Sequence, residues 1–175
     1  MATTYVALDR YARNAAEWRL SGDIDYRALK YLFESGDPFL YLVAAPLGHL
    51  ALEKYLKAIL IADGMTAFDP RRLGRLYTGV GLKKDECVWD HKLVVLANVL
   101  AARNANFDLD ARFVAPTVVV EMPMTIMKAF EMFDPFFSEL RYPVEANLVD
   151  ELGEEHGFVL DAVVEYLESF LKKIH

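Results

Sequence analysis

The sequence predicts an all-α protein, a single up-and-down helical bundle of about five to six helices with a long final helix. Three observations predict it. Apolar residues recur at intervals of three and four over most of the chain. Hydrophobic residues make up 54% of the 175 positions, and Gly, Pro and Asp stand where the helical patterns begin and end. This length suits one domain, 1–175, with N-terminal helices in 1–35 and the bundle core in 36–175.

The first 35 residues contain two amphipathic patterns, which predict two short helices. The first should close near Ser21-Gly22, and the second should begin at Asp23, a suitable N-cap residue, and close at Gly36. The apolar positions that define the first pattern are Leu8, Tyr11, Ala15 and Trp18.

The longest helical pattern runs from Pro38 to about Asp63 and is apolar nearly all round, as expected of a central buried helix. Asp37 supplies an N-cap and Pro38 suits the first helical position. Pro46 should either kink this helix or mark its true start, and Gly64 should end it.

Residues 65–90 lose the helical pattern and contain several glycines, so we expect a long connection with a short helix at 71–77. Asp90 should cap the next helix, which ends near Arg103-Asn104. The run at 113–120 is β-branched and interrupted by proline, which predicts an extended segment or a single isolated strand.

Two more helices complete the chain. The first should run from Ile126 to Leu140, bend at Pro135 and end at Tyr142-Pro143. Besides its core stripe it has a second apolar row, which implies either a very buried helix or a partner helix. The high aromatic count favours a homodimer interface. The final helix should run from Leu148 to Ile174. The second row comprises Ala129, Met132 and Phe136.

The net charge of −7 disfavours broad coating of nucleic acid, but the charge is unevenly distributed. Residues 70–84 carry five basic side chains and no acidic one, whereas residues 144–170 carry eight acidic side chains and no Lys or Arg. One interpretation is that these stretches are a solvated loop and a solvated helix face. The other is that the basic loop receives an anion, a nucleotide or an RNA phosphate, or docks on an acidic tail in a partner copy.

Other classes of protein are excluded. A single cysteine, Cys87, rules out a disulfide framework and makes the cytoplasm the expected compartment. The longest apolar stretch, Phe39–Leu47, is about half of a membrane span, and the start does not resemble a signal peptide. No histidine spacing suits a metal, and no phosphate-binding or dinucleotide motif occurs, so we expect neither a metal nor a cofactor.

The central helix carries the most suggestive polar residues. His49, Glu53 and Lys57 follow one another at intervals of four and form one strip on an otherwise apolar helix. This strip is a structural polar seam, a solvated face, or a binding or catalytic seam. His91, in the predicted first turn of the next helix, is a further candidate.

Three segments, in this order, resemble HEPN domains. They are Gly48–Ile61, with its Glu-Lys and Lys-Ala pairs, Asp90–Leu96, with histidine before two spaced leucines, and Leu140–Pro143, with Arg-Tyr-Pro. The resemblance extends over about residues 38–173 and implies an all-α homodimer that handles RNA or nucleotides. Many members are metal-independent ribonuclease toxins, paired with a nucleotidyltransferase-like partner.

The family's ribonucleases use an arginine and, after four to six intervening residues, a histidine, and this sequence lacks that pair. The corresponding positions after Arg141 are Ala146, Asn147 and Leu148. We therefore expect a HEPN-like homodimer, most simply without catalysis, that binds a nucleotide, an RNA or a protein partner. The alternatives are a ribonuclease with a nonstandard residue set and a purely structural scaffold dimer. The candidate ligand-binding residues are His49, Glu53, Lys57, His91, Arg141 and Tyr142.

Overall fold

The computed structural model describes residues 14–65, 91–115, 122–137 and 154–174. Over these residues five α-helices form a bundle, and a small antiparallel hairpin lies between the third and fourth helices, so the predicted all-α class is confirmed. The helices are α1 Ala15–Glu34, α2 Pro38–Ala62, α3 Leu93–Arg103, α4 Ile126–Phe133 and α5 Glu154–Leu171. The strands are β1 Arg112–Ala115 and β2 Met122–Thr125.

Helix α1 is continuous where the sequence predicted a break at Ser21-Gly22, so that prediction was wrong. Gly22 instead provides close packing, since a Cβ at this position would lie 2.8 Å from ring carbons of Tyr55 on α2. Asp23 is not an N-cap but accepts a hydrogen bond from the Tyr55 hydroxyl at 2.9 Å. The cap of α1 is Asn14, whose side chain accepts from the Glu17 N–H. The start predicted at Leu8 lies outside the described residues.

Helix α2 is the central helix, as predicted. It begins at Pro38, two residues after Gly36, whose φ of +68° lies in the left-handed region that favours glycine. It continues through Pro46, which therefore does not mark its start, and ends before Gly64, which has a φ of +92°. Its interior residues are almost completely buried; they are Ala51, Leu52, Tyr55, Leu56, Ala58, Ile59 and Leu60.

Helix α3 begins two residues later than a cap at Asp90 would place it, and Asp90 itself lies outside the described residues. The first helical N–H, that of Leu93, donates to Oδ1 of Asp134 at 2.5 Å. The helix ends at Arg103 as predicted. The Arg103 guanidinium donates to the side chain and the carbonyl of Asp63, and this contact joins the ends of α2 and α3.

The extended segment predicted at 113–120 is confirmed at 113–115, but its partner strand β2 was not predicted, and 116–121 lie outside the described residues. Phe113 faces Met124 and Val114 faces Pro123. Because Ile126 N–H donates to Ala111 O and hydrogen-bonded pairs alternate, the Pro123 nitrogen faces away from β1. Proline is tolerated there because no other described strand pairs with this side of β2, so no backbone N–H is needed at that position.

Helix α4 gives way at Asp134 to a 3-10 turn, Asp134–Phe137, so the regular α-helix ends at the residue before the Asp-Pro pair. Residues 138–143, including the predicted end at Tyr142-Pro143, lie outside the described residues. In the second apolar row, Ala129 and Phe136 are buried within the bundle and Met132 is half-buried. Packing within one chain therefore accounts for the second apolar row.

Helix α5 follows the predicted apolar stripe and ends at Leu171; the start predicted at Leu148 lies outside the described residues. One of its acidic residues, Asp161, serves the fold, since it accepts from the Tyr26 hydroxyl at 2.6 Å and from Lys30 at 2.5 Å. Arg19 of α1 donates to the carbonyls of Leu171, the last residue of α5, and of Ile174 just beyond it, so it ties α1 to the C-terminal end of α5. Of the helices described, none has the length and apolar character needed to cross a membrane.

Candidate functional site

The polar strip of the central helix lies in the core of the bundle. His49, Glu53 and Lys57 are 0%, 4% and 3% exposed. A solvated face is therefore excluded, and a structural or functional seam remains. Burying these charges costs free energy unless they are paired, so their partners determine what the seam does.

One oxygen of the Glu53 carboxylate binds two cationic or proton-donating groups. Oε1 accepts from Lys57 Nζ at 2.5 Å and from His91 Nδ1 at 3.0 Å. Burial raises the pKa of Glu53, but the hydrogen bond from His91 and the charge and hydrogen bond of Lys57 outweigh it, so the net pKa lies below the ordinary value. The carboxylate is therefore ionised at neutral pH.

His49 joins three parts of the bundle through its ring. Nδ1 lies 3.0 Å from the Phe133 carbonyl oxygen at the end of α4, and Nε2 lies 3.0 Å from the His91 carbonyl oxygen before α3. Because carbonyl oxygens only accept, both hydrogen bonds form only when both ring nitrogens carry protons. Oε2 of Glu53 also lies 3.7 Å from Nε2.

Lys57 lies between Glu53 and an aromatic ring. Its Nζ is 5.0 Å from the ring centroid of Trp18 on α1, a cation–π distance. Oε2 of Glu53 has no hydrogen-bond donor among the described residues and is buried. The network of His49, Glu53, Lys57 and His91, which we call the Glu53 network, therefore links α1, α2, the start of α3 and the end of α4.

His91 is the member of the Glu53 network that reaches the surface, with a side chain 37% exposed. It precedes helix α3 and is not in its first turn, contrary to the prediction, because α3 begins at Leu93. The hydrogen bond from Nδ1 to Glu53 fixes the orientation of the ring. The carboxylate therefore holds a histidine at the surface from inside the core.

Sequence reasoning missed three residues around the network: Trp18, Phe133 and Asp134. Trp18 lies 39 residues before Lys57 in the chain, and Asp134 lies 81 residues after Glu53. Phe133 contributes only a backbone carbonyl. No local pattern marks such partners. In the sequence, the Asp134-Pro135 pair indicated only a point where the helix should bend.

The other candidate residues, Arg141 and Tyr142, lie outside the described residues, as do the basic stretch 70–84 and Cys87. The structure therefore brings together four of the six predicted site residues. No group of three or more His, Cys, Asp or Glu within the described ranges is arranged to hold a metal ion.

Comparison with known proteins finds no family model that matches the chain, no curated protein that is similar to it and no solved structure that matches it.

Proposed function

We propose that this chain is a HEPN-like homodimeric protein that binds a phosphate-bearing ligand, a nucleotide or an RNA, without cleaving it. The observation that carries the proposal is the hydrogen bond between Glu53 and His91. It joins two of the three sequence segments that resemble HEPN domains, and it ends on the histidine that is accessible to solvent.

The chemistry of the Glu53 network suits an anion. One carboxylate faces Lys57, His49 and His91, so the cluster has more potential cations than anions. His49 and Lys57 are buried, whereas His91 lies where a ligand can contact it. A protonated imidazole donates to phosphate oxygens, and such charge-assisted hydrogen bonds are about twice as strong as neutral ones.

Binding should be measured by fluorescence anisotropy with labelled nucleotides and a short single-stranded RNA, for the wild type and His91→Ala. We expect the wild type to bind at low ionic strength and to weaken as salt is raised, because phosphate contacts release counterions. Loss of one charge-assisted hydrogen bond of about 1.5–3 kcal/mol corresponds to a loss of affinity of roughly ten- to a hundredfold in the variant.

The matched control is Lys172→Ala, which removes an exposed positive charge beyond the end of α5. It should bind as the wild type does. If the wild-type protein does not raise the anisotropy of any labelled nucleotide or of the RNA, the proposed binding site is wrong and the scaffold alternative gains support. The same conclusion follows if both variants lose affinity equally.

A ribonuclease is the second candidate, and the same geometry favours it. A buried ionised carboxylate that orients a surface histidine is the arrangement that prepares a general base. His91 would take the proton of a ribose 2′-hydroxyl, whose oxygen attacks the phosphorus as the bond to the 5′-oxygen breaks. That leaving oxygen takes a proton from water, and the product is a 2′,3′-cyclic phosphate.

An RNA-cleavage assay separates the two candidates. Cleavage by the pure wild type that is lost in His91→Ala and reduced in Glu53→Gln supports the ribonuclease. RNA that is retained intact supports binding without catalysis. Co-purification with a nucleotidyltransferase-like protein would support the toxin–antitoxin context that the resemblance implies.

A further inference from the structure

The outer face of α1 carries an exposed row that continues to Tyr31 and Glu34, and its first four residues have an ordered charge pattern. Glu17, Leu20, Ile24 and Arg27 are spaced by three, four and three, which places them on one side of the helix. Leu20 and Ile24 are 62% and 59% exposed, and Glu17 and Arg27 are also exposed. We call these four residues the α1 row.

The two charged ends of the α1 row have no ionic partner within the part of the chain that the structure describes. Neither Glu17 nor Arg27 takes part in an ion pair there. Other charged residues of α1 do have intrachain partners: Asp25 pairs with Lys54 and Lys30 pairs with Asp161. The opposite face of α1 packs on α2, where Gly22 contacts Tyr55.

The α1 row is complementary to itself when it is reversed. If a second α1 lies antiparallel about a two-fold axis at the level of residue 22, Leu20 faces Ile24 of the other copy and Glu17 faces Arg27. The same pairs form twice, as an isologous interface requires. The intervals of three and four are those of a helix-pairing seam with apolar residues at its centre.

A different register is less suitable. An axis between residues 25 and 26 would set Leu20 against Tyr31, but it would also bring Glu17 against Glu34, two like charges. Of these two registers, the charge pattern favours the axis at residue 22.

We infer that α1 is the homodimer surface of this protein, and that a second copy of the chain binds it through an antiparallel α1–α1 contact. This inference rests on the homodimer part of the proposed function and names its surface. The apolar centre consists of two residues per copy, which is small compared with standard interfaces of about 1,200–2,000 Å². The contact therefore produces a reversible dimer, and any further contact area adds to it.

Sedimentation velocity over a range of protein concentrations tests the inference. The wild type should change from monomer to dimer with a midpoint in the micromolar range. Leu20→Glu should raise the dissociation constant by at least about tenfold, because it places a charge at the apolar centre. Val114→Glu, at a residue 55% exposed on the hairpin, is the matched control and should leave the constant unchanged.

Charge reversal gives the decisive test. Glu17→Arg and Arg27→Glu should each weaken the dimer by about tenfold, since two exposed attractive pairs become repulsive pairs. The double variant should regain wild-type association. An equimolar mixture of the two single variants should also associate, because each charged residue then meets its opposite on the other chain. These recoveries cannot come from loss of folding.

Several results would overturn the inference. A wild type that stays monomeric at high micromolar concentration excludes this surface. So does a dimer that is insensitive to Leu20→Glu or to both charge reversals. Nucleotide binding is measured separately on the monomeric Leu20→Glu variant. Retained binding with no wild-type dimer overturns the interface alone, whereas a charge-sensitive dimer without nucleotide binding supports the interface and contradicts the binding proposal.

Discussion

The carboxylate of Asp134 caps a helix that begins 41 residues earlier in the chain: its Oδ1 lies 2.5 Å from the backbone nitrogen of Leu93. This contact ties the end of α4 to the start of α3. His49 bridges the same two places through the carbonyls of Phe133 and His91. The surface histidine of the candidate site is therefore positioned by two independent links between distant segments.

We expect Asp134→Ala to lower the free energy of unfolding by about 1–2 kcal/mol, because the first N–H of α3 loses its acceptor. Asp134→Asn keeps a side-chain oxygen and should lose much less. Urea unfolding followed by circular dichroism checks both variants. Equal losses in the two would show that the negative charge of Asp134, and not the hydrogen bond, matters.

The buried Glu53–Lys57 pair should show strong energetic coupling. Glu53→Gln leaves Lys57 with an uncompensated buried charge and should cost about 3–5 kcal/mol. Replacing both residues by Met removes both charges, so the double variant should be more stable than Glu53→Gln. The measurement is a double-mutant cycle by urea unfolding, with Glu53→Met and Lys57→Met as its single variants. Glu165→Gln, at an exposed position of α5, is the control and should change stability by less than about 0.5 kcal/mol.

Acid should remove the contribution of Glu53 to stability. The hydrogen bond from His91 and the charge of Lys57 overcome the effect of burial and hold the pKa of Glu53 below its ordinary value of 4.5. The stabilisation is thus complete above pH 4.5 and is lost as the pH falls through the lower pKa of the folded state. Urea unfolding from pH 7 down to pH 3 should show this loss in the wild type and a smaller one in Glu53→Gln.

Alkali should destabilise the packing of α1. Burial, followed by hydrogen bonds to Asp161 and Asp23, raises the pKa of Tyr26 and Tyr55 above the ordinary value of 10.0. The stabilisation is complete below pH 10 and is lost as the pH rises above it, because the unfolded chain ionises first. Unfolding measured from pH 8 to pH 11 should show this decline. A decline just as large in the Tyr26→Phe/Tyr55→Phe double variant would contradict the assignment.

Two helical glycines should respond to alanine in opposite directions. Gly22→Ala places a Cβ 2.8 Å from the Tyr55 ring, so we expect a loss of about 1–2 kcal/mol after the gain in helix propensity is counted. Gly157 of α5 has only ordinary contacts with Phe33, the nearest at 3.5 Å. Gly157→Ala should stabilise the protein by about 0.5–1 kcal/mol. Thermal unfolding of both variants, compared with the wild type, measures the two signs.

Local signals in the sequence were enough to predict the ends of α2 and the residues that share one of its sides. Gly36, Pro38 and Gly64 mark the ends of α2 because glycine tolerates positive φ and proline suits the first turn of a helix. The intervals of four along α2 also determined that His49, Glu53 and Lys57 share one side of a helix, because helical periodicity is a property of the chain alone.

Which residues those elements and side chains contact depends on tertiary packing. Ser21-Gly22 has the composition of a helix end, yet packing against Tyr55 keeps α1 continuous and uses the missing side chain for close approach. The same holds at the site. The burial of Glu53 and its hydrogen bond with His91 depend on how α2 and α3 pack. A contact between residues 38 positions apart leaves no periodic signal in the sequence.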